Sequence, residues 1–155
     1  MLNAIRYGLL FASAIFLWAV AETLVGLHGR YIRYHEYLSY FFAVPAVIIM
    51  YSGVRPARHM QQRQSFRSGL LKGLAITAVV VALCPLVWYV FCTFVNPGFL
   101  GNMVTHAVED RGMDPQAAAR RYSLYGYITV SVLSTAIVGS VISLVMAIIM
   151  AARKR

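Results

Sequence analysis

Imidazole and carboxylate groups are the side chains in this sequence best equipped for chemistry, and most of them cluster. Glu22, His28, His35 and Glu36 lie in the stretch from Trp18 to Phe42, together with Arg30 and Arg33. A second group, His106 and Glu109, is three residues apart, so the two are neighbours on a helical face. Imidazole nitrogen and carboxylate oxygen together suit zinc or a similar divalent cation. His28, His35, His106 and Glu109 form the candidate ligand set. No compact motif such as HExxH occurs, so these ligands would have to converge from separate segments. The competing expectation makes His28 and His35 interfacial residues bonded to backbone carbonyls or lipid headgroups.

Glu22 is the sharper signal, because it interrupts the apolar run WAVAETL. A carboxylate at the centre of a membrane helix costs about 2.5–3.5 kcal/mol. Glu22 lies five residues before Leu27, or roughly 7 Å along a helix, so its cost is smaller. One expectation is a proton-coupled or ion-binding site at Glu22. The other is a local pair with Arg30, Arg33 or a histidine that orients the first loop. Ser39 beside His35 and Glu36 is the nearest nucleophile–base set, but nothing in the sequence positions it. A Gly-rich phosphate loop is absent, which argues against an ATPase.

The elements that must position these groups are set by the solvent the chain is built for. Its 155 residues are 60% hydrophobic and 12% charged, about half the charge of a typical soluble domain. The excess apolar content lies in four runs, at about 5–27, 37–53, 70–95 and 125–152. Each is near the roughly 17–25 residues that span a bilayer core. The expected fold is therefore all-α: one domain, a four-helix transmembrane bundle, with an outer loop at 96–124 carrying one or two short amphipathic helices. Arg6 and the small residues Ala19-Val20-Ala21 resemble a signal peptide, yet we expect the first run to be retained as a transmembrane helix.

Charge gives the expected orientation. One side of this topology holds Arg6, Arg55, Arg58, Arg63, Arg67, Lys72, Arg153, Lys154 and Arg155, nine bases and no acid. The other side balances five arginines against all five acids. By the positive-inside rule both termini and the 54–68 loop are cytoplasmic, in a bacterial inner membrane. The basic loop is expected to meet anionic lipid headgroups rather than nucleic acid. Cys84 and Cys92 read as small apolar packing residues.

Packing signals are periodic. Gly8, Ala12, Ile15, Ala19, Glu22 and Gly26 share one face of the first helix. Ser131, Thr135, Gly139, Ser143 and Ala147 form a ladder of small residues every four positions, a helix-packing seam in the fourth. Gly69 and Gly73 repeat the spacing in the third, while Pro45 and Pro85 are expected to kink their helices. In the outer loop, Asn96-Pro97 and Asp114-Pro115 each predict an N-cap with proline at the first helical position. Phe99, Leu100, Met103, Val104 and Ala107 fall on one face of the first short helix, suiting it to a membrane surface.

Gly26-Leu27-His28 with Tyr31-Ile32 and His35, ahead of a Phe-rich helix bearing Pro45, resembles a group of small bacterial membrane proteins. So do Ser65-Phe66 with Gly69 and Gly73, Pro85-Leu86 with Tyr89, Pro97, Glu109, and Tyr127-Ile128 with Ser131. The chain is similar over nearly its whole length to domain-of-unknown-function family 4199. That resemblance implies four membrane helices and brings no activity, cofactor or catalytic residue.

Three functions stay open in the sequence. The leading expectation is a non-enzymatic structural or accessory protein that packs through its seams with itself or a membrane partner. The next is a small oligomeric transporter or channel using Glu22 and the proline kinks. The third is a membrane metalloenzyme using the outer histidines and acids.

Overall fold

The computed structural model describes residues 2–55 and 65–152. Its helices are α1 (Leu2–Leu24), α2 (Ile32–Ser39), α3 (Ala43–Val54), α4 (Phe66–Val90), α5 (Phe99–Glu109), α6 (Pro115–Arg121) and α7 (Leu124–Ala152). A 3-10 turn at Tyr40–Phe42 joins α2 to α3, and a π turn at Phe91–Val95 extends α4. Among the described residues, four continuous stretches are long and apolar enough to cross a membrane: Leu2–Leu24, Ile32–Val54, Phe66–Val95 and Leu124–Ala152. They alternate in direction, so residues 25–31 and 96–123 share one end of the bundle, called here the loop end. Arg58, Arg63, Arg153, Lys154 and Arg155 lie outside the described residues.

The second span is longer than its apolar run predicts, starting at Ile32 rather than 37. The added residues are polar, and tertiary partners hold them in the helix: His35 faces Glu22, and Glu36 accepts from Arg111. Pro45 lacks the amide that would bond the Phe41 carbonyl, and the 3-10 turn sits where that bond is missing.

α1 ends three residues earlier than expected, at a defined cap. Gly26 has φ of 82°, Leu27 N–H donates to the Glu22 carbonyl at 2.9 Å, and Gly26 N–H donates to the Thr23 carbonyl at 3.0 Å. This paired pattern is a Schellman motif, in which a left-handed glycine stops the helix and reverses the chain. Gly112, with φ of 62°, also reverses the chain after α5, but there Met113 N–H reaches the Ala107 carbonyl six residues back, one residue wider than the Schellman bond.

Small residues set how closely the spans approach. A methyl group at Gly139 would stand 2.5 Å from Thr77 Cγ2, and one at Gly73 would stand 2.7 Å from Ser143 Cβ. Gly139, Ser143 and Ala147 of the predicted seam therefore pack on α4 of the same chain, with Ser143 and Ala147 fully buried. Ser143 Oγ also shares a 3.2 Å hydrogen bond with Thr77 Oγ1. Thr135 approaches Cys84 of α4 at 3.9 Å, and Ser131 lines a groove against α3. On α1, Gly8 meets Val79 of α4, so the small-residue stripe that carries Glu22 also turns inward.

Two apolar cores result. Phe11, Met50, Val54, Ile76, Val80 and Met146 fill the end near the termini. Ala19, Phe91, Phe99, Met103, Ala118 and Tyr122 fill the loop end. The apolar face of α5 thus covers the bundle instead of resting on a membrane surface, with Phe99 wholly buried. Asp114 caps α6 as predicted, its Oδ2 accepting from Ala117 N–H. Asn96 does not cap α5: Gly98 is the N-cap, without a side-chain bond, and the Asn96 side chain points back to Thr23. Because the glycine contacts leave no room, Gly73→Leu and Gly139→Leu should each lower stability by about 1–3 kcal/mol through overpacking. Thermal unfolding in mild detergent checks this, and an unchanged transition in both variants would contradict the close α4–α7 packing.

Candidate functional site

The loop end holds one compact polar cluster. Glu22 comes from the last turn of α1, His28 from the reversal after Gly26, and His35 from the first turns of α2. They are only 6%, 2% and 8% exposed, so three polar side chains sit in an apolar core. Glu22 Oε2 is 3.2 Å from His28 Nε2 and 3.6 Å from His35 Nε2. One ligand atom from each residue lies within 4.8 Å of the others.

The surrounding bonds decide where the hydrogens are. Glu22 Oε1 is saturated, accepting from Trp18 Nε1 at 2.7 Å and Ser39 Oγ at 2.6 Å. Only Oε2 is left to face the histidines. Thr23 Oγ1 gives its single hydrogen to the Ala19 carbonyl at 3.0 Å, so at 2.8 Å it accepts from His28 Nδ1–H. A neutral His28 therefore turns an Nε2 lone pair toward the carboxylate. His35 Nδ1 is the one fully buried side-chain nitrogen or oxygen without a hydrogen-bond partner among the described residues. Glu22 Oε2 and His28 Nε2 thus turn electron pairs toward one another, and they stay together only if a cation or a proton lies between them; with Nδ1 unpartnered, no hydrogen bond fixes which nitrogen of His35 carries its hydrogen.

The geometry fits a cation. A tetrahedral ion with bonds of about 2.0–2.1 Å places its ligand atoms roughly 3.3–3.4 Å apart. The two separations from Glu22 Oε2, 3.2 and 3.6 Å, bracket that figure. Thr23 holds the far nitrogen of His28, and Trp18 and Ser39 hold the far oxygen of Glu22, as outer partners of metal ligands do. Aromatic rings wall the site: Phe99 lies 4.5 Å from the His28 ring and 5.7 Å from His35, and Phe91 lies 5.4 Å from His28.

The cap is tied down by polar contacts at its rim. Asn102 of α5 donates to the His28 carbonyl at 2.8 Å. Arg111 donates to Glu36 at 2.8 Å, and this bond raises the guanidinium above its ordinary pKa, keeping it charged. Arg33 reaches Asp110 at 3.8 Å, and His106 pairs with Asp110 four residues on.

Of the four ligands expected from the sequence, the structure brings together His28 and His35 but not His106 or Glu109. His106 is committed to Asp110, and Glu109 is exposed on α5. Glu22 takes their place. Neither Arg30 nor Arg33 is its partner: Arg30 lies over the Tyr31 ring, and Arg33 turns to Asp110. Ser39 is a donor to Glu22 rather than a nucleophile aligned with His35. Trp18 and Thr23 carried no signal of their own, although Trp18 stands four residues before Glu22, the spacing of helical neighbours.

Fold and cluster together define a class: a four-helix membrane protein with a buried carboxylate–imidazole site under a helical cap. The chain belongs to the family described as "Protein of unknown function (DUF4199)", which matches residues 6–152. No curated protein and no solved structure matches it. The hydrogen-bond inventory makes a direct prediction. Trp18→Phe or Ser39→Ala should each cost about 1–3 kcal/mol, because a buried carboxylate loses a donor. Thermal unfolding checks this, and wild-type stability in both variants would mean that Glu22 is not held as described.

Proposed function

We propose that the protein binds one divalent transition-metal cation of the zinc class through Glu22 Oε2, His28 Nε2 and His35 Nε2. The observation that carries this reading is the convergence of three buried ligand atoms within 4.8 Å of one another, with Glu22 Oε2 at 3.2 and 3.6 Å from the two imidazole nitrogens. A net charge of −1 from one carboxylate and two neutral imidazoles is costly in an apolar core, and a bound cation offsets it. Three protein ligands leave one coordination position open, the pattern of zinc sites that exchange a ligand or act on one.

This shifts weight from a purely structural accessory role toward a metal-dependent one. The seam that suggested a packing partner has its Gly139, Ser143 and Ala147 rungs occupied within the chain, which weakens the case for assembly through it. The basic residues near the termini support a cytoplasmic location for both ends in a bacterial inner membrane, in contact with anionic headgroups. On that orientation the metal site lies near the outer surface. A nucleic-acid role has no support beyond net charge.

A second reading is favoured by the 3.2 Å separation of Glu22 and His28, which is also a hydrogen-bond length. A proton on His28 Nε2 would make the pair a structural clamp on the first loop. Metal analysis separates the two. Protein purified in mild detergent without chelator should carry close to one zinc-class ion per chain. Glu22→Gln, His28→Ala and His35→Ala should each abolish it, while His106→Ala retains it. Metal-free wild type that also fails to take up added zinc, with Glu22→Gln merely less stable, would leave the clamp.

A further inference from the structure

A lateral groove between α3 and α7 carries an inference that does not rest on the metal reading. It holds about 360 Å³, within the range of small-molecule sites, and opens sideways past the exposed Tyr40 and Val138. Its floor is apolar, formed by Phe11, Ala46, Met50, Val80 and Ile142. No charged side chain among the described residues lines it.

Of its polar groups, Thr77 is bonded to Ser143 and Thr135 faces Cys84, while the serine hydroxyls collect toward the loop end. Ser39 and Ser131 each stand seven residues into their spans, counted from Ile32 and Leu124 at the loop end. That is about 10 Å of helix in both cases, so the two hydroxyls lie at similar depth. Ser134 lies one turn further along the same wall. The hydroxyls of Ser131 and Ser134 have no hydrogen-bond partner among the described residues. Ser52, Thr129 and Ser143, by contrast, bond the carbonyl four residues back, the usual resort of hydroxyls in membrane helices. Ser39 gives its hydrogen to Glu22 and keeps its lone pairs free to accept. From Ser131 to Ile142 the α7 wall runs eleven residues, or roughly 16 Å, the reach of one medium-length chain.

We propose that this groove binds a neutral single-chain amphiphile with a hydroxyl head. The chain lies along the Phe11–Met50–Ile142 floor, and the head donates to Ser39 Oγ and accepts from Ser131 and Ser134. The lack of charge excludes fatty-acid and phosphate heads, whose buried anion would have no counter-ion. A head that only accepts leaves the Ser39 lone pairs unused. A glyceride and a prenyl alcohol share the required chemistry.

Photolabelling in nanodiscs with a diazirine-bearing monoacylglycerol tests this, with adducts mapped by peptide mass spectrometry. Label should concentrate in segments 40–50 and 131–142. Val138→Trp, which fills the groove from its exposed rim, should cut labelling by about tenfold, equivalent to roughly 1.4 kcal/mol of binding. Ser131→Ala with Ser134→Ala should cut it by about fivefold, the order of one net hydrogen bond. The methyl ester of the same diazirine fatty acid should label several-fold less. Competition by unlabelled dodecanoyl glycerol or by farnesol identifies the source. Metal content should be unchanged in Val138→Trp, which keeps this test apart from that of the metal site. Label spread evenly over the exposed faces of all four spans would overturn the proposal, as would indifference to Val138→Trp. Crosslinking of two chains through α7 would assign the groove to a second copy instead.

Discussion

The reversal of the chain at Gly26 is the constraint on which the rest depends. A left-handed residue there ends α1 and folds residues 27–31 back over its last turn. The glycine is needed for its backbone, since a residue with a Cβ pays roughly 1–2 kcal/mol to adopt this φ. Glu22 is the third residue from the helix end in this motif. Its carbonyl anchors the cap through Leu27 while its side chain faces inward. His28, two residues past the glycine, is thereby laid against the side chain of the residue that anchors the turn. Had the helix continued, His28 would project onward from it and Glu22 would remain a lone carboxylate.

Once that reversal is made, burial has to follow. A carboxylate and two imidazoles among apolar spans need their outer atoms satisfied and their inner electron pairs neutralised. Trp18, Ser39 and Thr23 do the first for Glu22 and His28, whereas His35 Nδ1 has no partner. α5 excludes water by setting Phe99 over both rings, and the Arg111–Glu36 and Asn102–His28 contacts hold it there. On the proposed reading a cation neutralises the inner pairs. The same Ser39 that steadies Glu22 forms the polar end of the α3–α7 groove, so the two candidate sites meet at one hydroxyl.

Much of this was legible in the sequence, and what was not has a physical reason. Four long apolar runs gave the spans, because the bilayer imposes length and composition directly. Glu22 stood out because a carboxylate in such a run is costly. The ligand set was harder. His106 and Glu109 have the spacing of helical neighbours, yet neighbours on one helix need not meet a second segment, and the structure pairs His106 with Asp110. Glu22 joins His28 and His35 only through the turn at Gly26 and through the helical register of residues 32–36, whose polar sequence reads as loop. The α7 ladder could be read as a seam from its period. Its partner could not, since Gly73 and Thr77 match it only in three dimensions.

X-ray absorption at the metal edge of the purified, zinc-loaded protein tests the central claim most directly. The account predicts a four-coordinate ion with about two imidazole nitrogens and one carboxylate oxygen at roughly 2.0–2.1 Å, including the outer-shell scattering of histidine rings. That spectrum should persist in His106→Ala and lose imidazole scattering in His35→Ala. An oxygen-only shell without imidazole scattering, or a spectrum indifferent to His35, would contradict a metal site at Glu22, His28 and His35.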